Sequence, residues 1–471
     1  MANNQMNISD LTNLTVDELM TGYRVGTIDP VEVMEVTMNQ VNKVNGKINA
    51  LYQVQTDAAM IQAQAAKERF RKGQATKRFE GVPVTIKDSV NAIGMTWNHG
   101  AKIHGQGYVA QSDSPPVEKL KQLGAIIVGK GTMPDFGLSG SGVSSLHGIV
   151  RNPWGLKWSP GGSSAGNGAS MAAGIGMMSV GTDIAGSVRL PACHCGLSAL
   201  KPTQGMISHL PASDVRSAGP IVRRAADLEP WLRGLGGVHR QDRLSVPVVE
   251  PSGGHDFSTA KIAVYRSFGF GPAVEADVLD ILEKAEQAIK TISANVERGS
   301  LSYDFDAYLP IDDSFKWRGW REYSAKSEQD RSKTPPQMLE WFGEARDWSA
   351  SRIADMEIGI AKGVEQTNAL FDQADFILSP VMPIVSFPAD SRGIDEKMPL
   401  RHCTFTAPFN QSGHPAVSMP AGTDRRGLPV GIQIAARRFD DIRLVRLAKA
   451  LEKALWSEGP FDNRWPLEPN E

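Results

Sequence analysis

The stretch from Ser159 to Val180 constrains this chain more than any other. It opens as Ser-Pro-Gly-Gly-Ser-Ser-Ala-Gly and passes into a run of small, weakly polar residues, Ala169 to Val180. That run is too short and too rich in glycine to cross a bilayer, which takes about 20 apolar residues. It reads instead as a glycine- and serine-rich loop opening a buried helix. The flanking sequence supplies the layers around it. Gly81-Val-Pro-Val-Thr-Ile-Lys-Asp88 alternates, with Val82, Val84 and Ile86 on one face and Thr85 and Lys87 on the other. Val117 to Leu123 is an amphipathic helix, and Gly124 then opens a short buried strand, Ala125 to Val128. Strands alternating with helices point to an α/β layer fold.

The remaining punctuation agrees. Thr15-Val-Asp-Glu18 has a capping-box pattern, and Asp29-Pro30 supplies an N-cap and first-turn proline for a helix from Val31 to about Val44. A third helix covers Ala58 to Lys72. Gly181 to Gly186 reads as a tight turn and Leu232 to Gly254 as a surface connection. Lys261 to Tyr265 is a strand, and Ala273 to Ile292 a helix. Tyr308 to Gln366 is mostly helical, and its Trp317, Trp320, Trp341 and Trp348 serve helix packing or line an apolar pocket. Strands at Ala374–Pro380, Ala416–Pro420 and Gly431–Ile434 precede a closing helix from about Asp441 to Leu455. A chain of 471 residues exceeds the roughly 250–300 at which single cores usually divide. No repeat, low-complexity tract or linker interrupts it, so the expectation is one domain with a large mixed sheet flanked by helices.

Composition removes several function classes. The formal net charge is −2, with no long basic run, which argues against a nucleic-acid partner. Three cysteines in so long a chain do not make a disulfide framework and fit a reducing compartment. The N-terminal ten residues lack the charged and apolar regions of a signal peptide. The reading is a soluble, cytoplasmic protein with no membrane partner. Cys193-His194-Cys195 lacks the spacing and second ligand pair of a zinc site and reads as a buried turn.

Three motifs bear on chemistry. Gly124 to Gly131 nearly matches a phosphate-binding loop, but Gly131 stands where a magnesium-binding Ser or Thr belongs, and the residues between are strand-like. Gly162-Ser-Ser164-Ala-Gly166 satisfies the nucleophile-elbow pattern, with His414 as a possible partner for Ser164. The preceding Lys157-Trp-Ser-Pro-Gly161 is a poor strand for it. The third constellation is Lys87, the Ser159–Gly166 loop and Gly181-Thr-Asp-Ile-Ala-Gly-Ser187-Val-Arg189.

With Arg151-Asn-Pro-Trp154, Pro191 to Pro202, Ala218-Gly-Pro220, Gly413-His-Pro-Ala416 and Gly427-Leu-Pro-Val-Gly431, this third set resembles the amidase signature family over nearly the whole chain. The resemblance implies that family's fold. It also implies a helical part over about 1–75, a catalytic core over about 76–230 and a substrate-side region of helices and loops over about 300–410. It makes Ser187 the nucleophile, Ser163 the bridging serine and Lys87 the base. A serine hydroxyl needs a base within hydrogen-bond reach, and a lysine serves once burial disfavours its charged form. The resemblance further implies a cis Gly162–Ser163 peptide and an oxyanion hole from the backbone N–H groups of Ile184, Ala185, Gly186 and Ser187. Many members carry glycine where this chain has Ala185, so Ala185 is expected at negative φ. Asp183 and Arg189 are expected to pair and hold the turn.

The substrate wall is expected at Met133 to His147, through Met133, Gly137, Leu138, Ser139 and Gly140, a flexible and uncharged surface suited to a neutral amide, anilide or carbamate. The first function this supports is a free-standing amidase acting on small or aryl amides, with carbamates and esters as further substrates. An amidotransferase A subunit that uses glutamine beside partner subunits is the second, and a non-catalytic binding protein the third. No metal or organic cofactor is implied, and the expected assembly is a monomer or homodimer.

Overall fold

A computed structural model of the chain describes residues 6–251, 256–456 and 465–470. Eleven strands form one mixed sheet. In chain order they are β1 (Leu51–Tyr52), β2 (Pro83–Lys87), β3 (Ile126–Gly131), β4 (Met178–Asp183), β5 (Ser198–Lys201) and β6 (Ser217–Val222). β7 (Lys261–Val264), β8 (Asn295–Arg298), β9 (Phe376–Pro380), β10 (Ala416–Thr423) and β11 (Pro429–Ala436) complete the set. The spatial order is β1-β3-β2-β4-β6-β5-β10-β11-β9-β7-β8. Parallel pairs flank β2 and β7, and antiparallel pairs fill the middle. The result is a single large α/β domain with helices on both sides of the sheet.

The central strands are buried on both faces. Val82, Val84 and Ile86 join the largest apolar cluster, while Thr85 on the other face hydrogen-bonds Ser179 at 2.6 Å. That opposite face is covered by the small-residue helix Ala165–Ala172, every residue of which is buried. At Gly131 a Cβ would lie 2.7 Å from Asn167 Cγ on this helix, so only a glycine admits so close an approach. The helix ends at Ala172, earlier than the apolar run implies, because Met178 to Val180 already belong to β4.

Several boundaries differ from the sequence reading. The turn expected at Gly181 to Gly186 starts only after Asp183, since β6 pairs Ser217 with Asp183 and extends β4. Cys193 to Cys195 close a buried helix, Arg189–Cys195, rather than a turn, and all three cysteines are free. The proposed connection Leu232 to Gly254 begins inside a helix, Leu228–Leu235, and its residues 252–254 lie outside the described residues. The near phosphate loop is strand β3, with no loop to cradle an anion. Among the described residues, no helix is long and apolar enough to cross a membrane.

Candidate active site

Lys87 is the last residue of β2 and points to the face opposite its valines, 1% exposed. Its Nζ donates to Ser163 Oγ at 2.8 Å, to Thr182 Oγ1 at 3.2 Å and to the Thr182 carbonyl at 3.3 Å. Burial pushes the ammonium down to about 7; Asp183 and Asp88 pull it back up, while Arg216 and Arg318 push it further down. Ser163 sits in the loop before helix Ala165–Ala172, and the Gly162–Ser163 peptide is cis. Gly162 has no room for a side chain, because a Cβ would lie 2.7 Å from Ser141 N.

The second serine loop is tied to the first. Ser164 N–H donates to the Ser187 carbonyl at 3.1 Å, and Ser187 follows the turn after β4. The Asp183 carboxylate organises that turn. It accepts from Gly186 N–H at 2.7 Å, Val188 N–H at 3.1 Å, and Arg189 Nε and Nη2 at 3.0 Å each. Asn410 Nδ2 adds a further bond at 2.9 Å. Burial alone would raise this acid, but Arg189 outweighs it and holds Asp183 well below the usual carboxylate range.

Of the four N–H groups expected to face an oxyanion, Gly186 is committed to Asp183, which leaves those of Ile184, Ala185 and Ser187. Ala185 has negative φ, and its carbonyl accepts from Thr406 Oγ1 at 2.5 Å. The positive φ falls on Gly186, at 124°, where a Cβ would press on Thr406. Alanine is therefore tolerated at 185, because glycine supplies the unusual backbone one residue later.

Ser164 is fully buried, with its hydroxyl 3.4 Å from the Thr182 carbonyl and no strand before it. His414 instead pairs with Ser412 at 2.8 Å and stacks on Phe371. The nucleophile-elbow arrangement is thus absent from this pair.

The residues expected to touch substrate divide. A Cβ on Gly137 would sit 2.8 Å from Met133 Cε and 3.5 Å from Ser163 Oγ, so Met133 and Gly137 lie beside Ser163. Leu138 joins an apolar cluster with Phe136, Ala185, Phe315 and Phe342 that backs the turn. Ser139 and Gly140 are engaged by other parts of the fold: the Ser139 hydroxyl donates to the Arg392 carbonyl at 2.5 Å, and a Cβ on Gly140 would meet the His402 ring. The loop is also more firmly held than its composition suggests. Asp135, fully buried, binds Arg392 Nη1 at 2.8 Å, Ser145 N–H at 3.1 Å and the Ser145 hydroxyl. Among the tryptophans, Trp341 Nε1–H donates to Asp312 at 3.3 Å, Trp320 packs on Tyr323 and Trp348 lies under Arg352.

Sequence reasoning missed Thr182, Asp88 and a cluster across the site. Asp88 accepts from Gly100 N–H at 2.7 Å, Tyr52 hydroxyl at 2.7 Å and Asn98 N–H at 3.0 Å. Glu322 Oε1 bonds both His99 Nδ1 at 2.7 Å and His104 Nε2 at 2.9 Å. These three side chains could hold a metal ion, since their ligand atoms lie within 4.8 Å of one another. The spacings also suit a hydrogen-bonded His-Glu-His triplet. Nothing in the sequence joins His99 to a glutamate 223 positions on.

Comparison with known proteins follows the same outline. The family model described as Amidase matches residues 32–445. The glutamyl-tRNA(Gln) amidotransferase A subunit of Anaeromyxobacter dehalogenans (strain 2CP-C) is 30% identical, covering 95% of this chain and 97% of the relative. Among solved structures, a bacterial aryl acylamidase of the amidase signature enzymes aligns with TM-score 0.87 at 23% identity, over 97% of this chain and 99% of that one. A 6-aminohexanoate cyclic dimer hydrolase aligns with TM-score 0.84 at 24% identity, over 95% and 98%.

Proposed function

This chain belongs to the amidase signature family, and we propose that it hydrolyses the carbon–nitrogen bond of small or aryl amides, with carbamates and esters as further substrates, through an acyl-enzyme on Ser187. Ser187 Oγ attacks the carbonyl carbon while its proton passes to Ser163 Oγ, and the Ser163 proton passes to neutral Lys87. The developing oxyanion lies against the N–H groups of Ile184, Ala185 and Ser187. The proton returns along Lys87 and Ser163 to the leaving nitrogen, and the C–N bond breaks. Water then attacks the acyl-enzyme by the same relay and frees the acid and Ser187. Asp183 and Arg189 hold the turn and exchange no proton.

The observation that carries this reading is the 2.8 Å contact between Lys87 Nζ and Ser163 Oγ, made by a lysine that burial has brought down to about 7. Near neutral pH a sizeable fraction of such a lysine is free to accept a proton. A second reading, an amidotransferase A subunit acting on glutamine with partner subunits, is favoured by the resemblance to such a relative over 95% of this chain. Incubating the purified chain alone with 4-nitroacetanilide, ethyl N-phenylcarbamate and glutamine separates the two. Amine release from the anilide or carbamate without any partner is the expected result. Strict use of glutamine, or activity only when partner subunits are added, would transfer the assignment to the second reading.

A further inference from the structure

Among the described residues, two arginines whose charges reach the catalytic lysine make no salt bridge to any carboxylate. Arg216 immediately precedes β6, and because Ser217 pairs with Asp183, Arg216 lies across from Ile184 at the start of the oxyanion turn. Its backbone is fixed: the N–H donates to Ser213 Oγ at 3.1 Å, and the carbonyl accepts from Gln204 Nε2 at 2.9 Å. Its guanidinium is only partly held: Nη2 donates to the Pro211 carbonyl at 2.5 Å, while Nε is buried with no hydrogen-bond partner.

Arg318 lies on helix Tyr308–Ser324, one turn before Glu322. Glu322 holds His99, whose Nε2 lies 3.7 Å from the point where a Gly137 Cβ would sit; Ser163 Oγ lies 3.5 Å from the same point. This face of the helix therefore opposes the bridging serine. Among the described residues, Arg318 makes no hydrogen bond or ion pair, though it is half-buried. The charges of Arg216 and Arg318 act on Lys87, that of Arg318 acts on Arg216, and Arg318 itself feels Glu322 one turn on.

The nearby acids are already committed. Asp183 is bound by Arg189 and Asp135 by Arg392. Asp88 serves Tyr52 and two backbone amides, and Glu322 serves two imidazoles. Asp242, which Arg216 also feels, accepts from His209 N–H at 3.2 Å and Leu244 N–H at 3.0 Å. Two like charges at partly buried positions are unfavourable until an anion joins them, and a guanidinium's paired N–H groups match a carboxylate.

We propose that Arg216 and Arg318 form a carboxylate-recognition site beside the nucleophile, so that the substrate is an amide carrying a carboxylate on its acyl or its amine portion. The inference rests on the amide-hydrolase reading above. It also replaces the neutral substrate expected from the loop Met133 to His147: that loop contributes no free charge, and the charge comes from β6 and the helix instead. An α-ammonium, as on glutamine, finds no uncommitted acid here.

Three anilides test this: butyranilide, N-phenylsuccinamic acid with its carboxylate on the acyl side, and 4-butyramidobenzoic acid with its carboxylate on the amine side. The wild-type enzyme is expected to prefer one of the two acids over butyranilide by tenfold or more in kcat/KM. In Arg216→Gln and Arg318→Gln that ratio is expected to fall about tenfold or more, mainly through KM, with partial recovery in Arg318→Lys. Equal or better turnover of butyranilide by wild type overturns the proposal, with no need for any variant to fold. So does a ratio unchanged in both variants. Hydrolysis of none of the three by an enzyme that also fails to react with a fluorophosphonate would instead overturn the amide-hydrolase reading, and this inference with it.

Discussion

Replacing Lys87 with methionine keeps an unbranched side chain in the same space and removes its charge. The folded chain holds this ammonium at about 7, against 10.5 for an ordinary lysine. Between those values the unfolded chain binds a proton that the folded chain does not, so folding becomes more favourable as pH rises. Below about 7 both states are protonated and the whole cost of burying the charge is present; above about 10.5 both are neutral and it is gone. One pKa unit corresponds to about 1.4 kcal/mol, which puts the full cost at about 4–5 kcal/mol. The substitution also deletes the Nζ bonds to Ser163 and Thr182, offsetting about 1–3 kcal/mol of that gain. Lys87→Met is therefore expected to be inactive yet more stable than the parent at pH 7. Its advantage shrinks by about 1.4 kcal/mol for each pH unit up to about 10. A chain of 471 residues has an unfolding entropy of about 1 kcal/mol per kelvin. The gap in thermal midpoint should thus narrow by about 1–1.5 °C per pH unit. Scanning fluorimetry of both proteins at pH 7, 8 and 9 reads this directly, since all other titrations are common to the pair. Midpoints that run parallel across this range would refute the depressed Lys87.

Two further substitutions probe the supports of the site. Asp183→Asn leaves Arg189 buried without its counterion, a change that typically costs about 3–5 kcal/mol. The thermal midpoint should fall by about 3–5 °C and turnover should slow, while acylation of Ser187 persists; complete loss of acylation in a folded variant would make Asp183 a participant in the chemistry. Arg392→Ala strands the buried Asp135 carboxylate on Ser145 alone and should lower the midpoint by a similar 3–5 °C. An unchanged midpoint would mean that the loop Met133 to His147 does not depend on that pair.

Helix starts were legible because their signals are local. Thr15 and Glu18 form the capping box that their spacing implies, and Asp29 caps the helix begun by Pro30. That helix runs four residues past Val44, to Ile48, where Asn49 in the left-handed region ends it. β5 and β6 were missed for a physical reason. Both are buried on both faces, which erases the two-residue alternation, and β6 carries Pro220 in the interior of the sheet. Lys87, Ser163 and Ser187 stand out in the sequence only as a set, through resemblance. Singly, each residue has an ordinary structural explanation, and only folding brings Lys87 Nζ to Ser163 Oγ, 76 residues away. Arg216, Arg318 and Glu322 carried no sequence signal at all, because what distinguishes them is which acids around them are already engaged.

The central claim is that Ser187 is the nucleophile and Lys87 its base, and covalent mapping tests it most directly. The folded chain would be treated with a fluorophosphonate across pH 5 to 9, digested, and the adduct located by mass. The account predicts a single adduct on Ser187, formed at a rate that rises through about pH 7 and then levels off as Lys87 loses its proton. An adduct on Ser164, or labelling of Ser187 at a rate indifferent to pH across that range, would contradict it.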